Sequence, residues 1–150
     1  LRSVSVAPFA EPLRAAERRV VEQMGARLET LLAVPRSHFE PMQVVRYEAG
    51  NYYRQHMDAS RSLQRMLTAF LYLNDVEGAG ETNFTRLGLA VRPKQGRLLL
   101  WPNVLNEDPE TPDPRATHEA STLTAGRKYG ANMWVHLRPL RSNRWRMTRL

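Results

Sequence analysis

The sequence predicts a mainly β fold, a sandwich or jelly roll carried on one supporting helix. Short runs of apolar, aromatic and β-branched residues recur between Met42 and Arg138, punctuated by turns built on Gly and Pro. One stretch, residues 12–31, shows instead the three- and four-residue apolar spacing of a helix. No internal repeat is visible. The chain's 150 residues suffice for one domain with a real core and are too few for two. We divide it into a helical support (1–40), a jelly-roll core (41–138) and a basic tail (139–150).

Residues 1–8 carry Val4 and Val6 in alternation, a candidate short strand. From Pro12 onward Leu13, Ala16, Val20, Met24, Leu28 and Leu31 form the apolar stripe of an amphipathic helix, with Arg14, Glu17, Arg18, Glu22 and Glu29 largely between them. Pro12 suits a first helical position and Pro35 lies just past the end. This helix is expected to pack on the sheet and to carry no chemistry. Residues 42–47 and 52–58 are the next strands, separated by a turn at Ala49-Gly50-Asn51. Residues 59–64 are a short polar connection suited to shaping substrate access. Residues 67–73 read as a buried strand, followed by a turn over 75–80. Strands at 89–92, 97–101, 116–120 and 128–138 complete the series. Residues 103–115 hold four acidic side chains together with Pro109, Pro112 and Pro114, and are expected to form a loop at the rim of the strand carrying His118.

A 42% apolar content with mixed charge favours a soluble globular protein. No apolar run approaches the roughly 18 residues of a membrane span, and nothing at the start reads as a signal peptide. The chain opens on Leu1, so an upstream segment and the compartment stay open. With no cysteine, any metal must be held by imidazole and carboxylate. The net charge of +7 comes mostly from arginine, including a terminal cluster of Arg138, Arg141, Arg144, Arg146 and Arg149. That cluster fits either a solvated tail or an anionic partner such as an acidic peptide.

The chemistry centres on Tyr47-Glu48-Ala49-Gly50-Asn51-Tyr52-Tyr53-Arg54-Gln55-His56-Met57-Asp58. On an extended strand the side-chain period is two, so His56 and Asp58 point from one face. A second histidine from a distant strand would complete a two-His-one-carboxylate triad that binds Fe(II) and leaves its opposite side open, and His118 is the candidate. Alone, His-x-Asp also fits an ordinary half-exposed strand pair. Its surroundings separate the two readings: Tyr47-x-x-Gly50-x-x-Tyr53-x-x-His56-x-Asp58, then Phe70-Leu71-Tyr72-Leu73-Asn74-Asp75-Val76, Gly78-Ala79-Gly80-Glu81-Thr82-Asn83-Phe84, Gly88-Leu89-Ala90-Val91-Arg92-Pro93 and Gly96-Arg97-Leu98-Leu99-Leu100-Trp101. His118, Gly126-Arg127-Lys128 and Asn132-Met133-Trp134-Val135 follow.

In this order of motifs, residues 43–137 resemble the prolyl 4-hydroxylase family of Fe(II)- and 2-oxoglutarate-dependent dioxygenases, in its collagen-type branch. The resemblance implies a double-stranded β-helix core, Fe(II) on His56, Asp58 and His118, and the cofactors 2-oxoglutarate and O2, with ascorbate as an auxiliary. It implies oxidative decarboxylation of 2-oxoglutarate to succinate and CO2, coupled to hydroxylation of a peptidyl proline, at C4. Lys128, ten positions after His118, matches the family's cation for the distal carboxylate of 2-oxoglutarate; Arg127, on the opposite face of the same strand, is the second choice. Tyr53 is implied near the substrate, and Tyr47, Thr82 and Trp134 near the cosubstrate, with core packing as the rival role for the aromatics. His38 and His136 are read as non-catalytic. The chain departs from the family in two places: Glu119-Ala120-Ser121-Thr122-Leu123 follows His118, and Ala79 splits a glycine pair.

The expected partner is therefore a proline-containing peptide or protein. A different target residue, a free amino acid, or a non-catalytic binding module on the same fold are the alternatives. Nucleic acid is not expected, because basic charge alone gives only non-specific phosphate attraction and no base-reading motif accompanies it. The oligomeric state is not indicated.

Overall fold

Arg127–His136 is a ten-residue strand of the computed structural model, and Arg127 is its only exposed residue. The structure describes residues 5–6, 15–60 and 64–140. In chain order its elements are β1 (Ser5–Val6), α1 (Ala15–Leu32), β2 (Gln43–Glu48), β3 (Tyr53–His56), β4 (Arg65–Tyr72), β5 (Thr82–Phe84), β6 (Leu89–Val91), β7 (Leu98–Pro102), β8 (His118–Ala120) and β9 (Arg127–His136). Short 3₁₀ turns occupy Arg36–His38 and Pro114–Ala116. Strands β1-β2-β9-β4-β7 form a five-stranded sheet and β3-β8-β5-β6 a four-stranded one, with every pairing antiparallel. The fold is the expected jelly roll with an N-terminal helix.

Period-two alternation divides the larger sheet into two working faces. Val45, Tyr47, Phe70, Tyr72 and Trp101 pack with Phe84 and Leu123 in a core between the sheets. Ala69, Ala131, Met133 and Val135 face the other way and pack with Leu28, Phe39 and Met42 beneath α1. Strands β4 and β9 are thus covered on both sides. This is why residues 67–73 read as one near-continuous apolar run rather than an alternating one. Gly130 is required on the inner face, where a Cβ would lie 2.2 Å from Phe70 Cζ.

The helix differs from expectation by a rotation of its buried face. Val20 and Leu31, assigned to the apolar stripe, are 54% and 61% exposed. The contact row is Val21, Met24, Gly25, Leu28 and Leu32. Gly25 belongs to it, and the Arg36 guanidinium fills the space that a side chain there would need, 2.0 Å from where a Cβ would stand. The helix ends at Ala33, whose φ of 52° is the left-handed conformation that a C-terminal cap adopts and that glycine reaches without strain. Pro12 and Leu13 lie outside the described residues, as do Val4, positions 61–63 of the expected access connection, and Arg141, Arg144, Arg146 and Arg149.

Two further differences concern strands. Thr82–Phe84, read only as part of a motif, is a strand: it joins β6 to β8 and so completes the smaller sheet. Asp58 lies two residues beyond the end of β3, so an extended strand does not carry it. Residues 103–115 form the expected loop, closed by a bridge between Val104 and Pro112 and by Asp113 capping the following 3₁₀ turn.

Candidate metal centre

Strands β3 and β8 pair so that His56 stands directly opposite His118. Their ring centroids are 4.3 Å apart. Each ring is oriented in the same way, by the carbonyl two residues earlier in its own chain: His56 Nδ1 is 2.8 Å from Arg54 O and His118 Nδ1 is 2.9 Å from Ala116 O. A carbonyl only accepts, so each Nδ1 carries a hydrogen, and Nε2 is the ring nitrogen left to face the site. Asp58 reaches the same point from beyond the strand end, with Oδ1 3.7 Å from His56 Nε2 and Oδ2 3.8 Å from His118 Nε2.

These separations are too long for hydrogen bonds and too short for indifference. Ligand atoms from the three residues lie within 4.8 Å of one another. Asp58 and His118 are buried and His56 is partly so. Acceptors gathered this closely away from water repel one another unless a cation lies between them. Nitrogen and oxygen donors in a two-His-one-carboxylate set are those that hold non-haem Fe(II) with coordination positions left open. The residues present therefore fit the metal.

The triad forms one wall of a cavity of about 420 Å³. Lys128 comes from the opposite sheet, is 1% exposed, and also lines this space. Its Nζ donates to Gly80 O at 2.7 Å and lies 4.3 Å from the centroid of the Tyr47 ring. Burial pulls its pKa down from 10.5 to about 8, against a weaker upward pull from Glu81. A cation held this far from water is prepared for an anion. Arg127 points outward and pairs with Glu48 at 3.0 Å, as expected for the opposite face of β9.

The other singled-out residues also line the cavity. The Tyr53 ring meets His56 edge-on at 4.0 Å. Thr82 Oγ1 accepts from Tyr72 OH at 2.7 Å, and burial pushes the Tyr72 phenol up. Trp134 is covered by the Arg65 guanidinium at 3.7 Å, and its indole N–H has no partner among the described residues. His38 and His136 lie outside the metal set: His38 Nδ1 bonds His136 O at 3.0 Å, and His136 Nε2 bonds Glu40 Oε1 at 2.6 Å. Glu40 also takes a two-point contact from Arg65, at 2.6 and 2.9 Å. Burial would raise the Glu40 carboxyl, but the hydrogen bonds from His136 and Arg65 outweigh it and hold it at about 2.

Two residues behind the metal site escaped the sequence reading. Thr68 Oγ1 donates to Asp58 Oδ2 at 2.7 Å, and Asn103 Nδ2 donates to Thr68 Oγ1 at 2.7 Å. The available signal was one polar residue inside an apolar strand, which is faint on its own. No residue of the loop 103–115 lines the cavity, and Asn103 reaches the site only from behind, through Thr68.

The two departures from the family pattern fit each other. Ser121 N donates to Glu81 O at 2.9 Å, Ser121 Oγ donates to Glu81 Oε2 at 2.8 Å, and Gly80 N lies 3.1 Å from both Glu81 Oε2 and Ser121 Oγ. Ala79 N donates to Thr124 Oγ1 at 3.0 Å. Hydroxyls in the segment after β8 thereby satisfy the backbone of the segment before β5, and the carbonyl that holds Lys128 stays in place.

Comparison with known proteins agrees with this geometry. The family model described as the 2OG-Fe(II) oxygenase superfamily matches residues 42–136. Prolyl 4-hydroxylase 2 of Arabidopsis thaliana is 31% identical over 79% of this chain and 48% of its own. Probable prolyl 4-hydroxylase 3 of the same plant is 29% identical over 83% of this chain and 52% of its own. The chain thus spans about half the length of these curated relatives. Among solved structures, the 2OG complex of the viral collagen prolyl hydroxylase from Paramecium Bursaria Chlorella virus-1 superposes with a TM-score of 0.70 at 26% identity, covering 83% of this chain and 76% of that one.

Proposed function

The chain belongs to the 2OG-Fe(II) oxygenase superfamily, and from that premise we propose that it hydroxylates peptidyl proline, at C4. One observation carries the reading: His56, Asp58 and His118 converge on one wall of the cavity that Lys128 enters from the opposite sheet. The plant prolyl 4-hydroxylases and the viral collagen prolyl hydroxylase that the chain resembles support the substrate class.

In this reading His56 Nε2, His118 Nε2 and the Asp58 carboxylate hold Fe(II). When bound, iron and 2-oxoglutarate together supply oxidative decarboxylation, releasing succinate and CO2, with hydroxylation of a substrate carbon by O2. Lys128 receives the distal carboxylate of 2-oxoglutarate in a charge-assisted contact and so fixes which end of the molecule faces the triad. Tyr47 shields that contact from water with its ring, and Thr82 and Trp134 shape the same space. Tyr53, packed on His56, bounds the side from which a prolyl ring approaches. The buried wall of Phe84 and Trp101, 5.7 and 4.9 Å from the His118 ring, excludes water from the reacting centre.

The test is incubation with Fe(II), labelled 2-oxoglutarate and a proline-rich peptide, followed by mass spectrometry of the peptide. Peptide-dependent release of labelled CO2 with one added oxygen on proline is the expected result. Release without any gain on the peptide would refute proline as the target, and no release under any condition would refute the oxygenase reading.

A further inference from the structure

Thr68 is fully buried and Asn103 is 1% exposed, yet the two form a polar chain that ends on the acid of the metal triad. Its polarity is forced. The Thr68 hydroxyl has one hydrogen, and the Asp58 carboxylate only accepts, so that hydrogen goes to Asp58 Oδ2. Asn103 must then present its NH₂ to Thr68, because a flipped amide would set oxygen against oxygen at 2.7 Å. The amide keeps this orientation although its Oδ1 has no partner among the described residues. Its backbone is pinned on both sides: Asn103 N donates to Met66 O at 2.9 Å, and Asn103 O accepts from Asp113 N at 2.9 Å.

We propose that Thr68 and Asn103 are positioning residues that hold Asp58 to one-oxygen ligation, with Oδ2 committed to Thr68 and Oδ1 presented to the metal. This rests on the metal reading given above. The consequence lies in the count of open positions. Three single-atom protein ligands would leave room on the metal for a chelating 2-oxo acid together with O2. A second carboxylate oxygen would take part of that room. Oδ2 also faces the site, 3.8 Å from His118 Nε2, and the hydrogen bond from Thr68 engages one of its lone pairs, which makes Oδ1 the better donor; Asn103 keeps the Thr68 hydrogen from turning elsewhere.

Co(II), added to metal-free protein, is the probe, because it reports affinity by titration and ligand arrangement by its visible absorption bands. Thr68→Val keeps the shape and loses the hydroxyl; it is expected to weaken Co(II) binding about 10- to 100-fold and to shift the bands, as loss of an outer hydrogen bond to a ligand does. Thr68→Ser keeps the hydroxyl and should stay within about threefold of the native protein with native bands. A Thr68→Val protein with native affinity and spectrum would overturn the proposal, and so would a Thr68→Ser protein that behaves like Thr68→Val, since the lost group would then be the methyl. If Thr68→Val does not fold, Asn103→Ala decides: about three- to tenfold weaker binding supports the chain, and unchanged binding overturns it. Native protein that binds no Co(II), or His118→Ala protein that binds it as tightly, would instead bring down the metal reading itself, which the Thr68 variants leave intact.

Discussion

Lys128→Met should make the protein more stable while removing its response to 2-oxoglutarate. Lys128 is 1% exposed, and burial lowers its pKa from 10.5 to about 8. At about 1.4 kcal/mol for each tenfold change in proton affinity, holding that charge inside costs about 3 kcal/mol at neutral pH. Methionine has a similar length and packs on Tyr47, but it forfeits the hydrogen bond to Gly80 O, which returns about 1.5 kcal/mol. The net gain is about 1 to 2 kcal/mol, or about 3 to 6 °C in Tm for a domain of this size. The sign follows from the folded pKa being depressed: the unfolded chain holds the proton more tightly, so the penalty is complete below about pH 8 and fades toward 10.5. The advantage of Lys128→Met should fade over the same range. Saturating 2-oxoglutarate with Mn(II) supplies the missing anion, and at a hundredfold over Kd it should stabilise the native protein by about 2.7 kcal/mol and the variant by far less. Thermal unfolding of both proteins, with and without 2-oxoglutarate, across pH 7 to 10 checks this. A variant that melts below the native protein without 2-oxoglutarate, or an equal response of both proteins to it, would refute the reasoning.

The triad gives the sharpest loss: His56→Ala or His118→Ala each removes one of three ligands and should abolish stoichiometric Co(II) binding by titration together with turnover. Glu40→Gln should flatten the acid side of the stability profile, because a carboxyl held at about 2 contributes stability above its ordinary 4.5 and loses it as pH falls toward 2. The change is up to about 3 kcal/mol, and an unaltered acid-unfolding curve would contradict it. Ala33→Gly should add about 0.5 to 1 kcal/mol in denaturant unfolding, since φ is 52° there and glycine adopts it without strain.

The readable parts of this protein were those whose chemistry restricts residue type. His56, Asp58 and His118 stand out because few side chains serve as such ligands, and Lys128 because its motif places a cation on an inward-facing strand position. The helix was legible as an element but not in its orientation. Val20 and Leu31 have the right spacing, whereas the true contact row includes Gly25, which has no hydrophobicity to betray it and is covered by Arg36 arriving from the next segment. Thr82–Phe84 is too short for a periodicity to show, and its strand exists because β6 and β8 pair on either side of it. Asp58 reaches the site from an irregular segment beyond β3, so it neighbours His56 as the strand period predicts but through a geometry other than the strand's. Thr68 and Asn103 are ordinary polar residues whose meaning comes only from contact across 35 positions.

Apolar packing between the two sheets fixes their separation loosely, because it is non-directional. Hydrogen bonds fix it closely, and side-chain hydrogen bonds cross between the sheets beside the cavity. Thr68 of β4 holds Asp58, Tyr72 of β4 holds Thr82 of β5, and Lys128 of β9 holds the carbonyl of Gly80. Each runs from the larger sheet, whose central strands are buried on both faces, to a segment attached to the smaller sheet of short strands. The metal ligands lie on the more weakly built partner, and the larger sheet reaches over to register them. The bonds that align the sheets are also the bonds that aim the site: a shift of one sheet against the other would move Asp58 relative to its support and Lys128 relative to its carbonyl together. The position of Asp58 and that of Lys128 are therefore set by one structural variable rather than two.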